Sequence, residues 1–246
     1  MLWGELTSKK FSEAKERLKV AVLPVGVIEG HGDHLPLFTD TLMAYEVSKR
    51  AVEKEDALLL PPVNYGVAKT LSYKEGTISI RHETAISLYE DILSEIVRNG
   101  ITRIVVVNGH GGNIPALSIA CQKVAYEKGA TIVLLNWWLD LVEESRELLE
   151  TEMGHAAEDE TSEVLAVRPD LVDMGEAKPY FREVKYRFYS PDRGKLIFGH
   201  GVRGFPEKAS REKGEAIIEE ASEKLARIIR DLKEGRIPGL GEPSTS

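Results

Sequence analysis

Residues 19–40 read KVAVLPVGVIEGHGDHLPLFTD. The opening stretch, KVAVLPVGV (19–27), is apolar almost throughout, with no polar alternation, the pattern of a strand covered on both faces. The stretch EGHGDHLPLFTD (29–40) then crowds Glu29, Asp33 and Asp40 together with His31 and His34. A solvated loop uses acids for solubility but has no such need of imidazole. With 6 histidines in 246 residues, two so close together signal chemistry. TDTLMAYEVSKRAVEKE (39–55) follows with helical spacing. Strand, ligand-rich loop and helix in succession are the unit of a parallel sheet whose ligands gather beyond the strand carboxyl ends.

The same alternation continues outward. ALLLPPV (57–63) reads as a second strand that Pro61 and Pro62 end early. HETAISLYEDILSEIVRNG (82–100) is an amphipathic helix closed by Gly100. TRIVVVN (102–108) is a β-branched strand, NIPALSIACQKVAYEKG (113–129) a helix and TIVLLNWW (131–138) a strand. Periodicity is lost over 175–205, which reads as extended structure or loops near the site. The last helix (207–235) covers the sheet or a subunit contact, so a homo-oligomer is expected. RIPGLGEPSTS (236–246) reads as a flexible tail. The expectation is an α/β fold with a mostly parallel sheet covered on both faces, a single domain over 1–236 and a tail over 237–246.

A formal charge of −8 argues against nucleic acid as a partner, since a phosphate-binding surface favours basic excess. It leaves room for a small anionic substrate, because a local field can oppose the net charge. Cys121, the single cysteine, lies mid-helix, excludes an intrachain disulfide and reads as a buried structural thiol. The N-terminal stretch lacks the basic start and apolar core of a signal peptide. No apolar run approaches the ~20 residues of a membrane span. A cytoplasmic protein without membrane contact is expected.

Two further segments fall at strand ends: NGHGGN (108–113) after the strand at 102–108, and GHAAEDETSEVLA (154–166) beyond the one at 131–138. Three loops at one sheet edge thus deliver His, Asp and Glu, a mixture that suits Zn, Mn or Fe. Glu29 and His31, two apart on an extended segment, point to one side; a solvated loop is the plainer reading. For Asp40, capping of the following helix competes with ligation. His34 reads as a structural or supporting group and Asp33 as solvated. NGHGGN also invites reading as a phosphate cradle, but it matches neither G-x-G-x-x-G nor G-x-x-x-x-G-K-[ST], which favours His110 as a ligand. His155 and Glu160 stand near a helix start, where Glu158 and Asp159 enrich the first turn with acid. His82 and His200 have no clustered partners and read as structural.

LPVGVIEGHGDHLPLFTDT, NGHGGN, GHAAEDETS and GVRGFPEKASREKGE occur in an order that resembles the creatininase (creatinine amidohydrolase) family, over about residues 19–220. The resemblance implies a three-layer α/β/α fold and a dinuclear metal centre that hydrolyses amide bonds in small nitrogen compounds. By motif position it implies Glu29, His31, Asp40 and His110 as metal ligands, with Asp40 bridging and Glu160 a further ligand. It implies His155 as proton donor or substrate contact. Two departures stand out. Gly112 replaces the glutamate that creatininase itself carries two residues after the NGH histidine, a role Glu160 is placed to take over. Ala68 and Leu71 stand where the family often shows Ser and His, which speaks against creatinine. The family also contains a formamidopyrimidine-nucleotide deformylase, whose members resemble the NGHGGN type. Lys69, Lys74, Arg81 and Arg203 near these loops read as solvated, with a phosphate contact as the alternative.

Glu29, Asp40 and Glu160 contribute three negative charges; one divalent ion leaves the cluster at −1 and two leave it at +1, a balance that favours activation of water. Two divalent ions (Zn, Mn or Fe) are therefore expected, serving a small-molecule substrate. Trp137 and Trp138, at a strand end, read either as walls of the substrate pocket or as core. The functional expectation is a metal-dependent amidohydrolase cleaving a C–N amide or formamide bond. Its alternatives are a creatinine or other cyclic-amide hydrolase, and a metal- or nucleotide-binding module without turnover.

Overall fold

The computed structural model of the protein describes residues 1–241; residues 242–246, the end of the expected tail, lie outside the described residues. Strands β1 (Val20–Val25), β2 (Leu58–Leu59), β3 (Arg103–Asn108) and β4 (Thr131–Asn136) stand in the order β2-β1-β3-β4, all parallel. Val25 pairs with Asn108, and Asn108 with Asn136. The carboxyl ends of β1, β3 and β4 are therefore level, and the loops that leave them open at one edge.

Helices cover both faces: α1 (Ser8–Leu18), α2 (Thr39–Lys54), α3 (His82–Arg98), α4 (Ile114–Lys128), α5 (Trp137–Asp140), α6 (Glu158–Val167), α7 (Arg193–Phe198) and α8 (Arg211–Lys233). Strand side chains alternate between two cores, as the pleat requires. Val20, Val22, Val105 and Val107 pack with Met43 of α2, Val164 of α6 and Ile217 and Leu225 of α8. Ala21, Leu23, Ile104 and Val106 face the other way, onto Leu18 of α1, Leu93 of α3 and Leu117 of α4. Each large aliphatic side chain so buried contributes about 1.5–3 kcal/mol relative to exposure. Both faces of the sheet are thus apolar, which explains the unbroken hydrophobic runs, and the fold is a three-layer α/β/α sandwich.

The structure adjusts several boundaries. β2 is only two residues long, because Pro61 and Pro62 cannot donate to a ladder; Val63 regains a single bridge to Val25. β4 stops at Asn136 instead of running through Trp138, since the Asn136 N–H donates to Asp140 Oδ2 at 2.7 Å and turns the chain into α5. The last helix starts at Arg211 rather than 207: Pro206 opens a separate 3₁₀ turn, and the Ser210 hydroxyl caps the Lys213 N–H. Helix α1, capped by Thr7, is an element the sequence reading did not mark. Within the aperiodic stretch, α7 and the bridges His155–Arg203 and Tyr180–Gly204 fold the chain back over the strand ends. Cys121 is buried in the α3–α4 core, and burial pushes its thiol up to about 12. Among the described residues no helix is long and apolar enough to cross a membrane.

Candidate metal centre

The loop after β1 is held by its own backbone. Glu29 N–H donates to the Leu37 carbonyl, Leu35 N–H to the His31 carbonyl, and Gly32 N–H to Gly201 of the aperiodic stretch. Glu29 and His31 are consequently buried. Asp40 lies in the first turn of α2, whose N-cap position is Phe38 and offers no side-chain cap. The Asp40 carboxylate does not cap the helix but is buried beneath it. After β3, the Asn108 side chain donates to the carbonyl of His110 and accepts its N–H, at 2.8 and 3.1 Å. It also donates to the Asn136 side chain, tying the ends of β3 and β4 together. Gly109 and Gly112 let this loop close: a Cβ at Gly109 would sit 2.3 Å from the Asp40 carbonyl, and one at Gly112 2.0 Å from the Val67 carbonyl. Beyond β4, Ala156 adopts a left-handed φ of 48° between His155 and α6, and its N–H donates to Glu160.

Three imidazoles share one construction. His31 Nδ1–H donates to the Glu29 carbonyl at 3.1 Å, His110 Nε2–H to the Val67 carbonyl at 3.0 Å, and His155 Nδ1–H to the Gly201 carbonyl at 3.1 Å. Each carbonyl can only accept, so it fixes the tautomer and leaves the other ring nitrogen facing carboxylates. His31 Nε2 lies 3.0 Å from Asp40 Oδ1 and 3.7 Å from Glu160 Oε2. His110 Nδ1 lies 2.8 Å from Asp40 Oδ2 and 3.2 Å from Glu29 Oε1. His155 Nε2 lies 3.1 Å from Glu29 Oε1, and its ring stacks on His31 with centroids 4.4 Å apart.

The donor atoms form three groups, each within 4.8 Å: Glu29, Asp40 and His110; His31, Asp40 and Glu160; and Glu29, His31 and His155. Asp40 belongs to the first two. Among the described residues Glu29 Oε2 is buried with no hydrogen-bond partner and Asp40 Oδ2 is buried with only His110 Nδ1 beside it, although each could accept bonds from solvent in an unfolded chain. Buried carboxylate oxygens of this kind are costly unless a cation meets them. The mixed imidazole–carboxylate set suits borderline divalent ions. The residues fit such ions.

Protonation follows from the same crowding. Burial disfavours a charged His31, but the carboxylates of Asp40 and Glu160 outweigh it and raise the imidazole to about 10. His110 is likewise driven well above its ordinary value, against burial, by Glu29 and Asp40. Burial pushes Glu29 and Asp40 upward, yet the facing imidazoles hold both below the usual carboxylate range. Glu160 is raised by burial, with Asp40 adding to it. Charge of one sign demands compensation by the other here, and protons on imidazole and divalent ions compete for the same lone pairs.

Other sequence expectations resolve individually. His34 is buried, with Nε2 2.9 Å from the Thr161 hydroxyl, and burial pushes it down to about 4; it belongs to none of the donor groups. Asp33 is exposed and pairs with Lys74. Glu158 is buried as a clamp, accepting from Glu150 and Thr151 N–H and pairing with Lys213. His200 lies at 2.9 Å from the Lys178 carbonyl, and His82 starts α3 in solvent. A cleft of about 520 Å³ opens over the centre, lined by Glu29, Asp40, His110, Glu160, His155, Leu71 and Trp138 among others. Trp138 walls this cleft, whereas Trp137 is packed in the core. Ala68 and Leu71 are both buried; Leu71 lines the cleft beside Thr70 and Arg193, and Ala68 is not among its lining residues.

Sequence reasoning missed two features. Glu163 is buried with neither carboxylate oxygen hydrogen-bonded, beside Asp159 on α6. Burial and Asp159 push it well above the carboxylate range; its position one turn beyond Asp159 was the available signal. Arg193 lines the cleft from the aperiodic stretch, where no periodicity marked it.

Comparison with known proteins gives a consistent answer. The family model described as creatininase, creatinine amidohydrolase, matches residues 4–229. The chain is 31% identical over 251 residues to the creatinine amidohydrolase of Pseudomonas putida, spanning 93% of this chain and 95% of that one. It is 34% identical over 215 residues to the mycofactocin precursor peptide peptidase of Mycolicibacterium smegmatis, spanning 82% and 80%. A 2-amino-5-formylamino-6-ribosylaminopyrimidin-4(3H)-one 5'-monophosphate deformylase from Methanothermobacter marburgensis is 27% identical, spanning 88% and 91%. Among solved structures, a mutant creatininase complexed with creatine superposes with a TM-score of 0.85 at 30% identity, over 94% of this chain and 98% of that one. A manganese creatininase gives 0.83 at 30% identity, over 94% and 98%. A second structure of that same mutant is described as a Zn–Zn type. With a family model matching residues 4–229 and a relative 31% identical over 93% of the chain, the chain belongs to the creatininase family of amidohydrolases.

Proposed function

We propose that the protein is a metal-dependent amidohydrolase that cleaves a C–N bond in a small nitrogen compound, with a formamide as the preferred substrate class. The observation that carries this reading is the shared construction of His31, His110 and His155. Each donates one ring N–H to a backbone carbonyl and turns the other nitrogen to buried carboxylates. Glu29, Asp40 and His110 would hold one divalent ion and His31, Asp40 and Glu160 a second. When bound, the ions supply the Lewis acidity that polarises an amide carbonyl and makes water nucleophilic at neutral pH. The protein's own groups do the rest. The Gly201 carbonyl fixes the His155 tautomer, leaving Nε2 as the atom that exchanges a proton with the departing nitrogen. Phe198 packs edge-on against that ring at 5.1 Å and holds its plane. Leu71, Trp138 and Ile197 line the cleft, and their apolar surfaces strengthen the charge interactions beside them.

Gly112 cannot carry the carboxylate that creatininase itself has at this position, and Glu160 is the carboxylate beside His31. Leu71 in the cleft lining, where the family often shows a histidine, supports a formylated amine over creatinine, and a relative named as a nucleotide deformylase supports a formylated amine on a pyrimidine nucleotide. The test is to load the purified protein with Zn, Mn or Fe and follow C–N hydrolysis of formamides, cyclic amides and formamidopyrimidine nucleotides. Release of formate from the formylated compounds is expected. Tight metal binding with no hydrolysis of any of them would instead favour a binding module.

A further inference from the structure

The cleft carries two guanidinium groups that the hydrolytic reading does not use. Arg193 and Arg203 both line the cavity that opens on Glu29, Asp40, His110 and Glu160. In a chain with 40 acidic and 32 basic residues, cations readily find carboxylates. Among the described residues neither Arg193 nor Arg203 has one within 4.0 Å. Arg193 Nε is buried with no hydrogen-bond partner, and among the described residues the side chain's one hydrogen bond is from Nη1 to the Thr70 hydroxyl at 3.4 Å. Arg193 is half-buried, and leaving its buried Nε unpaired is costly, a cost that an anion reaching it from the cleft removes.

Both arginines are also held in place. Helix α7 presses onto the chain at Thr70 so closely that a Cβ on Gly194 would sit 1.8 Å from the Thr70 carbonyl, which fixes Arg193 at the start of that helix. Arg203 exchanges two backbone hydrogen bonds with His155, and its guanidinium lies over the Phe181 ring at 5.4 Å. A guanidinium fork presented in fixed orientation is suited to bidentate contact with carboxylate or phosphate. From these observations we infer that Arg193 and Arg203 form an oxyanion subsite of the cleft, so that the substrate is an amide bearing a carboxylate or phosphate group. The inference rests on the amidohydrolase reading for the other end of the substrate, with the scissile amide at the carboxylate–imidazole centre and the anion on the arginines. A cavity of about 520 Å³ has room for both ends.

The test compares three formamides on the metal-loaded protein: N-formylethanolamine, its phosphate monoester and N-formyl-β-alanine. Wild type is expected to favour a charged substrate over the neutral one in kcat/KM. R193Q and R203Q should each reduce that charged-to-neutral ratio by roughly ten- to a hundredfold, the loss expected for a hydrogen bond to a charged group. R193K, which keeps the charge without the fork, should recover part of it. Preference for the phosphate ester or for the carboxylate identifies the natural anion. A wild-type ratio near one, or a ratio unchanged in both Gln variants, overturns the subsite. If no formamide is hydrolysed, the choice of formamides as the substrate class fails separately. Titration calorimetry with inorganic phosphate then decides the subsite: binding weakened about tenfold or more in the R193Q/R203Q double variant supports it, and equal or absent binding overturns it.

Discussion

His155 and Arg203 are locked together along the backbone: the His155 N–H donates to the Arg203 carbonyl at 3.1 Å, and the Arg203 N–H to the His155 carbonyl at 2.8 Å. The ring of His155 and the guanidinium of Arg203 therefore line the cleft at a fixed spacing, one beside Glu29 and the other over Phe181. The group proposed to transfer a proton is in this way tied to the group proposed to hold the substrate's anion.

If His155 carries the proton to the departing nitrogen, His155→Asn leaves the donor atoms of Glu29, His31, Asp40, His110 and Glu160 in place. Metal content should stay close to that of wild type while turnover falls by roughly 10²–10⁴, the usual contribution of general acid–base catalysis. The defect should shrink for substrates with better leaving groups. Loss of an ion from the variant would instead make His155 a ligand, as its grouping with Glu29 and His31 allows.

Gly112 faces a crowded site, with a Cβ there meeting the Val67 carbonyl at 2.0 Å and His110 Nε2 at 2.6 Å. Gly112→Glu, which restores the residue type of creatininase itself, should not recruit a new ligand. It should displace His110 from the Val67 carbonyl and lower stability by roughly 1–3 kcal/mol, the usual cost of overpacking. Chemical denaturation and metal analysis of the variant check both parts; a stable protein with undiminished metal content would show that the loop has room.

How far the sequence could be read depended on periodicity. β1 and β3 were legible because both faces of each strand are apolar, and Glu29, His31, Asp40 and His110 because they stand at the ends of those runs. The end of β4 was not, since Trp137 and Trp138 continue an apolar run while the hydrogen bond from Asn136 to Asp140 that turns the chain is invisible in composition. Arg193 was missed because nothing in 175–205 repeats; only the docking of Gly194 against Thr70 places it at the cleft. Glu163 was missed because a glutamate at helical spacing reads as solvated until its burial is known.

Creatinine should be a poor substrate. Leu71 offers the cleft no hydrogen-bonding group where the family often shows a histidine, and Gly112 removes a carboxylate. The expected kcat/KM falls below about 10⁴ M⁻¹s⁻¹, the lower end of the ordinary range for an enzyme's own substrate. A coupled assay of creatine formation measures it, and a value well above that limit would contradict the proposed role of these positions.

Away from the centre, Glu220 on α8 accepts from the N–H groups of Glu143, Glu144 and Ser145 and from the Ser145 hydroxyl, and it pairs with Lys224. Burial raises its pKa, but these donors outweigh burial and hold it far below the ordinary carboxylate value. A carboxylate depressed in the folded state binds fewer protons there than in the unfolded chain. Its stabilisation is full above the unfolded pKa of about 4.3 and is lost as pH falls from there toward the folded value. Glu220→Gln should cost roughly 1.5–3 kcal/mol at pH 7. The gap to wild type should narrow below about pH 4. A gap independent of pH would assign the effect to packing.

The central claim is that Asp40 joins two groups of donors around two divalent ions, and elemental analysis tests it most directly. After reconstitution with Zn or Mn and removal of free metal, wild type should hold about two ions per chain, and Asp40→Asn should hold fewer than one, because both groups lose their shared carboxylate. Wild-type protein that retains no ion, or an Asp40→Asn variant that keeps two, would contradict the account.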